Sequence, residues 1–478
     1  MLTKLHEECG VFGIYLRDGQ TGVVPAAYHA LYALQHRGQE SCGIAVNTDG
    51  VIACHKDVGL VNEVFTRDVL EKLSEGSMAV GHCRYATTGT QSRGNAQPML
   101  VNHQKGSMAV CHNGNLVNAH ELRGQLESKG AIFHTTSDTE VIAYIVTQER
   151  LEASSIEDAV LKTMERIEGA YSLVLMSPQK LIAARDPHGF RPLCMGETES
   201  GVVFASESCA LDAIGATFVR DVEPGEVIVV SSEGVKSLRC PHRCDTSMCV
   251  FEFIYFARPD SVMDGSSVHV ARLRAGSFLA LEHPVQADVV IGVPDSGIDA
   301  AIGYSRQSGI PYGIGFIKNK YIGRTFIQPS QQQRQNSVRI KLNAVSSTVK
   351  DKRVVLIDDS IVRGTTSARI VSLLREAGAK EVHMRLSSPP FKHPCYFGTD
   401  IDSTDNLIAA HHSVEEICKI IGVDSLGFLN VDYLPKLADH SSCGFCNGCF
   451  TGKYPVDPPS HTKKLKFERK LSEKDGSD

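Results

Sequence analysis

The segment ECGVFG, residues 8–13, sets one cysteine, Cys9, ahead of a run of β-forming residues. A thiol becomes a catalyst when a base takes its proton and donors stabilise the oxyanion formed on attack at a carbonyl. If the eight preceding residues were removed, the α-amino group of Cys9, with an ordinary pKa of about 8, could be that base. Downstream, LQHRGQES, GHCRYATTG, CHNGNL and TTSDTEV supply Arg37, Arg84, Asn113 with Gly114, and Asp138. A guanidinium suits a carboxylate, a carboxylate suits an ammonium, and an amide can donate to an oxyanion. Taken singly these strings are weak signals, since an HNG triplet is commonly just a turn.

A second constellation lies in RVVLIDDSIVRGTTSARIVSLLREAG. An apolar run leads to Asp358 and Asp359, and a loop with Gly364, Thr365 and Thr366 then opens an amphipathic helix. Backbone N–H groups of such a loop and the helix N-terminus can hold a phosphate. The paired carboxylates can accept hydrogen bonds from ribose hydroxyls or orient Mg²⁺. Upstream, GVPDSG supplies small residues for close backbone approach to an anion, and IKNKYIGRTFIQPSQQQR carries Lys318, Lys320 and Arg324. Near the end, SSCGFCNGCFTGKYP places cysteines at 443, 446 and 449, two overlapping C-x-x-C spacings that read as a metal site, with zinc the default. Partners must come from elsewhere; Cys249 and Cys395 are candidates, and spacing alone does not choose between Cys443 and Cys446.

These groups need elements to position them. From Cys9 to about residue 230, short β-rich runs joined by hairpin-length turns alternate with helical stretches, two of which, AHELRGQLESKG and DTEVIAYIVTQERLEA, have apolar residues at helical spacing. Antiparallel sheets with helices packed outside are expected there. From about residue 287, unbroken apolar runs (ADVVIGVPDSG, KRVVLIDDS, KEVHMRLSSPP) end in polar or Gly/Pro loops with helices between them. That is the pattern of a parallel sheet covered on both faces, whose ligands bind beyond the carboxyl ends of the strands. The last residues, KKLKFERKLSEKDGSD, form a charged tail.

The bulk numbers agree. At 478 residues, and roughly 150 per domain, two large domains fit. The chain is 42% hydrophobic and 22% charged with a net charge of −6, which does not favour nucleic-acid binding. No run approaches the roughly 20 apolar residues of a membrane span, and no basic segment followed by an apolar one marks a signal peptide. A cytoplasmic location is expected. An odd count of fifteen cysteines without an export signal argues against a disulfide framework; Cys42, Cys54, Cys111 and Cys418 are read as structural.

The string VLIDDSIVRGTT closely resembles the PRPP (phosphoribosyl pyrophosphate) signature of type I phosphoribosyltransferases. The resemblance implies that Asp358 and Asp359 face the ribose and Mg²⁺, and that Ser360, Arg363, Gly364, Thr365 and Thr366 wrap the 5′-phosphate. It makes GVPDSG the pyrophosphate loop, with Ser296 a metal contact, and the Lys318, Lys320 and Arg324 loop a lid. The five N-terminal strings together resemble the N-terminal-nucleophile glutaminase domain, an αββα sandwich. That likeness implies Cys9 as nucleophile, Asn113 and the Gly114 backbone as oxyanion hole, Arg84 on the glutamine α-carboxylate, Asp138 on its α-amino group, and Arg37 beside the nucleophile. From EECGVFG through FARPDS to CFTGKYP, the chain resembles the glutamine PRPP amidotransferases of the class with a cleaved propeptide and a [4Fe–4S] cluster. In that class the cluster ligands correspond to Cys249, Cys395, Cys446 and Cys449, leaving Cys443 outside.

The resemblance implies a propeptide over residues 1–8, a glutaminase domain over 9–235, a phosphoribosyltransferase domain with the cluster cysteines over 250–462, and the tail over 463–478. It implies that glutamine is hydrolysed at Cys9 and that the ammonia attacks C1 of PRPP, giving 5-phosphoribosylamine and pyrophosphate at the start of purine synthesis. Feedback inhibition by purine nucleotides and a homotetramer are also implied. Two other readings were open to the strings. An amino-sugar-forming amidotransferase would fit the glutaminase strings but not VLIDDSIVRGTT with GVPDSG. A non-catalytic sensor of PRPP or nucleotides on the same fold would have no use for Cys9, Arg84, Asn113 and Asp138 together.

Overall fold

The computed structural model describes residues 9–17, 20–73, 75–85, 92–242, 244–319, 342–399, 401 and 403–459. The expected propeptide and charged tail lie outside them. The chain divides into two compact units: residues 9–248 with Tyr396–Thr399 and 454–459, and Cys249–Cys395 with 401–453.

The first unit is built on two antiparallel sheets. One has seven strands in the order β11-β9-β10-β1-β4-β2-β3. They are β1 (Gly10–Leu16), β2 (Ser41–Thr48), β3 (Val51–Val58), β4 (Met78–Arg84), β9 (Cys194–Thr198), β10 (Gly201–Ala205) and β11 (Thr217–Asp221). The other has six in the order β13-β12-β8-β7-β6-β5: β5 (Met99–His103), β6 (Gly106–Leu116), β7 (Gly169–Met176), β8 (Leu181–Arg185), β12 (Glu226–Ser231) and β13 (Gly234–Arg239).

Alternation along the strands explains the layers, because successive side chains point to opposite faces. In β1, Phe12, Ile14 and Leu16 join a core with α1 (Val23–Ala33) and α7 (Ser208–Ala213), whereas Val11 joins the core between the sheets. In β7, Tyr171, Leu173 and Leu175 pack with α5 (Asp138–Glu152) and α6 (Ile156–Met164), while Val174 and Met176 face the other sheet. The unit is therefore a helix–sheet–sheet–helix sandwich, with the antiparallel sheets and outer helices expected from the pattern and the layer order implied by the resemblance. The boundary expected at residue 235 falls inside β13, which pairs with β12 from Glu226↔Arg239 to Ser231↔Gly234. Those hydrogen bonds carry the first unit on to Met248.

The second unit has a four-stranded, wholly parallel sheet in the order Val289–Gly292, Arg353–Asp358, Glu381–Leu386, Ser425–Phe428. Its central strand is apolar and fully buried from Val354 to Ile357, as expected when both faces are covered, whereas Glu381–Leu386 alternates Val382, Met384 and Leu386 of the core with buried His383 and Arg385. Helices α8 (Val268–Glu282) and α9 (Gly297–Ser308) lie against each other so closely that a Cβ on Gly303 would stand 1.9 Å from the Leu273 carbonyl oxygen. The helix Thr365–Glu376 follows the central strand, and the helix Val414–Ile421 is closed by a capping box of Ser413 with Glu416. Within the span 250–462, Tyr396–Thr399 and residues 454–459 cluster with the first unit.

Candidate functional sites

Cys9 stands at the head of β1, 7% exposed, and its Sγ donates to the Tyr85 carbonyl at 3.4 Å. Strand β1 pairs with β4 through Gly10↔Cys83, so one step further along the register Cys9 lies opposite Arg84. Arg37, from the loop after α1, donates through Nε to the Cys9 carbonyl at 3.0 Å.

Asn113 and Gly114 lie on β6, opposite Ser172 and Tyr171 of β7. Asn113 is buried, and its Nδ2 has no hydrogen-bond partner. Leaving a buried donor unmade costs about 1–3 kcal/mol, which a ligand oxygen would recover. Gly114 has φ +144, and a Cβ there would meet the Ala170 carbonyl oxygen at 2.1 Å. Only glycine therefore fits beside the amide.

Asp138 opens α5, where Ser137 caps the helix by accepting from the Thr139 N–H. Its Oδ2 accepts from the Leu116 N–H at 3.1 Å, and Oδ1 lies 3.5 Å from His112 Nδ1. Burial alone would raise its pKa, but His112, the Leu116 N–H and Arg84 together hold it below the usual carboxylate value. Asp138 is therefore a carboxylate, the form that pairs with an ammonium.

Several residues around these groups carried no signal in the sequence. Gln97 fixes β6 beside Asn113, its Oε1 accepting from the His112 N–H at 2.7 Å and its Nε2 donating to the His112 carbonyl at 3.3 Å. His82 contacts the same carbonyl through Nε2 at 2.9 Å, and burial drives its pKa down to about 3, so the ring is neutral. Glu207 accepts from Arg37 Nη1 at 2.6 Å inside the core. Gln97 and Glu207 belong to no recognisable string, and His82, although it lies in GHCRYATTG, was given no role there; each acts through a contact that only the fold creates.

In the second unit, Asp358 and Asp359 end the central strand and are both buried. The Asp359 N–H donates to Asp358 Oδ1 at 3.0 Å, and Ser296 Oγ donates to Asp359 Oδ1 at 2.5 Å. The GVPDSG loop and the DDS loop thus meet at the carboxyl ends of adjacent parallel strands. Gly364, at φ +80, precedes the helix Thr365–Glu376. A cleft is lined by Tyr255 and the continuous run Asp358–Ser367. Ser360, Arg363, Gly364, Thr365 and Thr366 all lie on its wall, and the buried Thr366 Oγ1 has no partner. Tyr255, hidden in the apolar string VFEFIYF, was not legible as a cleft residue. Lys318 Nζ pairs with Asp295 at 2.5 Å, while Lys320 and Arg324 lie outside the described residues.

Burial pushes the Cys449 thiol well above its ordinary pKa, and Cys395, Cys249 and Cys446 add to the shift. These four are therefore neighbours, brought together from three separate stretches of the second unit. Cys443 is tied instead to Asp264, whose Oδ2 accepts from its N–H at 2.9 Å. Among the described residues no group of three His, Cys, Asp or Glu is placed to hold a single metal ion. Burial raises the thiol pKa of Cys42 to about 12, that of Cys111 well above its ordinary value, and those of Cys54 and Cys418 as well, which suits structural cysteines.

Two family models match the chain, a glutamine amidotransferase domain over residues 82–213 and a phosphoribosyl transferase domain over 268–387. The amidophosphoribosyltransferase of Bacillus subtilis is 51% identical over 458 residues, 95% of each chain. That of Archaeoglobus fulgidus is 49% identical, covering 94% of this chain and 98% of its own. Among solved structures, the Bacillus subtilis glutamine PRPP amidotransferase complexed with ADP and GMP has a TM-score of 0.87 at 50% identity, covering 94% of this chain and 98% of its own. A structure described as the allosteric regulatory enzyme of purine biosynthesis gives 0.89 at 49% identity, covering 98% and 100%.

Proposed function

The chain belongs to the amidophosphoribosyltransferase family, and from that premise we propose how its residues share the work. As an enzyme of this family it converts glutamine, water and PRPP into glutamate, pyrophosphate and 5-phosphoribosylamine, the first committed step of purine synthesis.

In the proposed first half-reaction, removal of residues 1–8 frees the Cys9 amine, which takes the thiol proton as Sγ attacks the glutamine side-chain amide. Asn113 Nδ2 and the Gly114 N–H hold the oxyanion; collapse of the intermediate releases ammonia, and water then cleaves the thioester to glutamate. Arg84 holds the glutamine α-carboxylate and Asp138 its ammonium, while Arg37 steadies the nucleophile's main chain. The observation that carries this reading is the buried Asn113 amide with no protein partner, aligned on the strand that precedes Asp138.

In the second half-reaction, ammonia attacks C1 of PRPP and pyrophosphate leaves. Ser360, Arg363, Gly364, Thr365 and Thr366 would bind the 5′-phosphate, Asp358 and Asp359 the ribose hydroxyls, and Lys318, Lys320 and Arg324 the pyrophosphate. Mg²⁺ held with Ser296, Asp358 and Asp359 would neutralise charge on the leaving pyrophosphate. The joined, buried Ser296–Asp359–Asp358 set has the hard oxygen donors that this ion takes.

A [4Fe–4S] cluster on Cys249, Cys395, Cys446 and Cys449 would supply a covalent staple across three stretches and a redox-capable centre. Its support is that the thiols of Cys395, Cys249 and Cys446 all lie close enough to Cys449 to act on its ionisation, and that soft thiolates are the ligands such a cluster takes. Purine nucleotides are proposed as feedback inhibitors, in keeping with the ADP and GMP bound by the Bacillus subtilis relative. We place the enzyme in the cytoplasm as a homotetramer; an odd count of fifteen cysteines suits a reducing compartment, and no helix among the described residues is long and apolar enough to cross a membrane.

The test compares nitrogen sources. Cys9→Ala should abolish glutamine-dependent synthesis and leave ammonia-dependent synthesis largely intact, whereas Asp358→Ala should lose both. A folded Cys9→Ala enzyme that fails with ammonia as well would refute the two-site division.

A further inference from the structure

We infer that Glu207 is a positioning residue for the thiol nucleophile, acting through Arg37 on the main chain of Cys9. The inference rests on the proposed role of Cys9 and adds a residue to it. Glu207 occupies the N-cap position of α7, yet its side chain makes no capping hydrogen bond to that helix. Its carboxylate is turned into the core instead. There Oε1 accepts from Arg37 Nη1 at 2.6 Å and faces His36 Nε2 at 2.7 Å. The side chains of Arg37 and Glu207 are both fully buried. Water therefore screens neither partner, and each charge depends on the other to be tolerated there.

The pair is anchored to the strand that it serves. Ser206, next in chain to Glu207, accepts from the Val11 N–H through Oγ at 2.9 Å and returns a hydrogen bond to the Val11 carbonyl at 3.0 Å. On the other side, a Cβ at Gly38 would lie 2.6–2.7 Å from backbone atoms of Cys83 and Arg84, so the Arg37 loop rests directly on the end of β4. Held from both sides, Arg37 presents Nε to the Cys9 carbonyl at 3.0 Å. That carbonyl carbon is one bond from the Cα bearing the thiol and the amine. Fixing it sets the direction of both groups, and small misplacements of reacting atoms are costly. Asp138, which would bind the glutamine ammonium, stands on α5 against the other sheet, away from this tether.

Loss of the Glu207 charge should therefore slow attack without weakening glutamine binding. Glu207→Gln, which keeps the shape, and Glu207→Ala would be measured beside wild type, Arg37→Lys and Cys9→Ala. We expect Glu207→Gln to lower the kcat of glutamine hydrolysis about tenfold, with the glutamine KM within about twofold. Alkylation of Cys9 by iodoacetamide, followed by peptide mass spectrometry, should still reach completion but about tenfold more slowly. A merely misfolded fraction would add a second labelling phase and leave the rate of the rest unchanged. The Arg37→Lys and Glu207→Gln effects should be non-additive, the double variant being no slower than the worse single one. Unchanged kcat and labelling rate in a folded Glu207→Gln enzyme would overturn the inference, as would simple additivity with Arg37→Lys. Should Glu207→Ala fail to fold, Glu207→Gln alone decides. If Cys9→Ala still hydrolyses glutamine, the nucleophile assignment fails, whatever the Glu207 variants do.

Discussion

At the scale of single residues, the glutaminase site is defined by buried polar groups whose needs the protein leaves open or meets in a specific charge state. Asn113 shows the first case. Because its Nδ2 serves no protein acceptor, Asn113→Ala removes an unmet donor, and the unfolding midpoint should hold or rise. The kcat of glutamine hydrolysis should nevertheless fall about 10²- to 10³-fold, the usual loss for one oxyanion donor. Steady-state kinetics beside a thermal melt checks both halves. Asp138 shows the second case. Folding lowers its pKa from 3.8, so the stability its charge contributes is fully present above that pH and is lost as pH falls through the folded value. Asp138→Asn should therefore raise the glutamine KM and show a stability deficit that is constant from neutral pH down to about pH 4 and narrows below it. Urea unfolding of both proteins across that range measures the convergence.

At the scale of elements, helix packing explains what the sequence could and could not disclose. Antiparallel sheets with helices outside were legible from short β-rich runs joined by hairpin-length turns, the αββα order from the likeness of ECGVFG and its companion strings to the glutaminase domain, and the parallel sheet from apolar runs such as VVLI that end in polar loops. The loops at the strand ends were legible because phosphate chemistry demands Gly, Ser and Thr in contiguous order. Glu207 and Gln97 were not, nor was the part played by His82 inside GHCRYATTG, since each is recruited by a register or a turn that joins segments apart in the chain. The α8–α9 contact was equally hidden: nothing in the strings SFLAL or GYSRQ announces that two backbones touch. Gly303→Ala would drive a methyl into the Leu273 carbonyl 1.9 Å away, with the helix behind it. Since α9 carries the GVPDSG loop at its N-terminus, we expect a loss of about 1–3 kcal/mol in unfolding free energy, measured by denaturant titration.

At the scale of the whole molecule, the cysteines gather stretches that are far apart in the chain. Protein purified without oxygen should contain iron and acid-labile sulfide in equal amounts and absorb in the visible. Cys395→Ser should lose both, and Cys443→Ser, whose N–H is held by Asp264, should keep them. Zinc in place of iron would overturn the cofactor assignment.

The residue after Cys395 enters the other unit. Asn115 Nδ2 donates to the Tyr396 carbonyl at 2.9 Å, and Arg191 donates to the Phe397 carbonyl through Nε at 3.1 Å and also through Nη2. The Phe190 and Phe397 rings stack with centroids 4.3 Å apart. Four residues from late in the chain thus complete a body begun at its start. For gene construction this means that the amidotransferase half is not a cassette. Cutting at Met248 would deprive buried Arg191 of a carbonyl it serves and Phe190 of its stacking ring. A transplanted half would have to bring residues 396–399 with it, supplied in trans or spliced through a new loop.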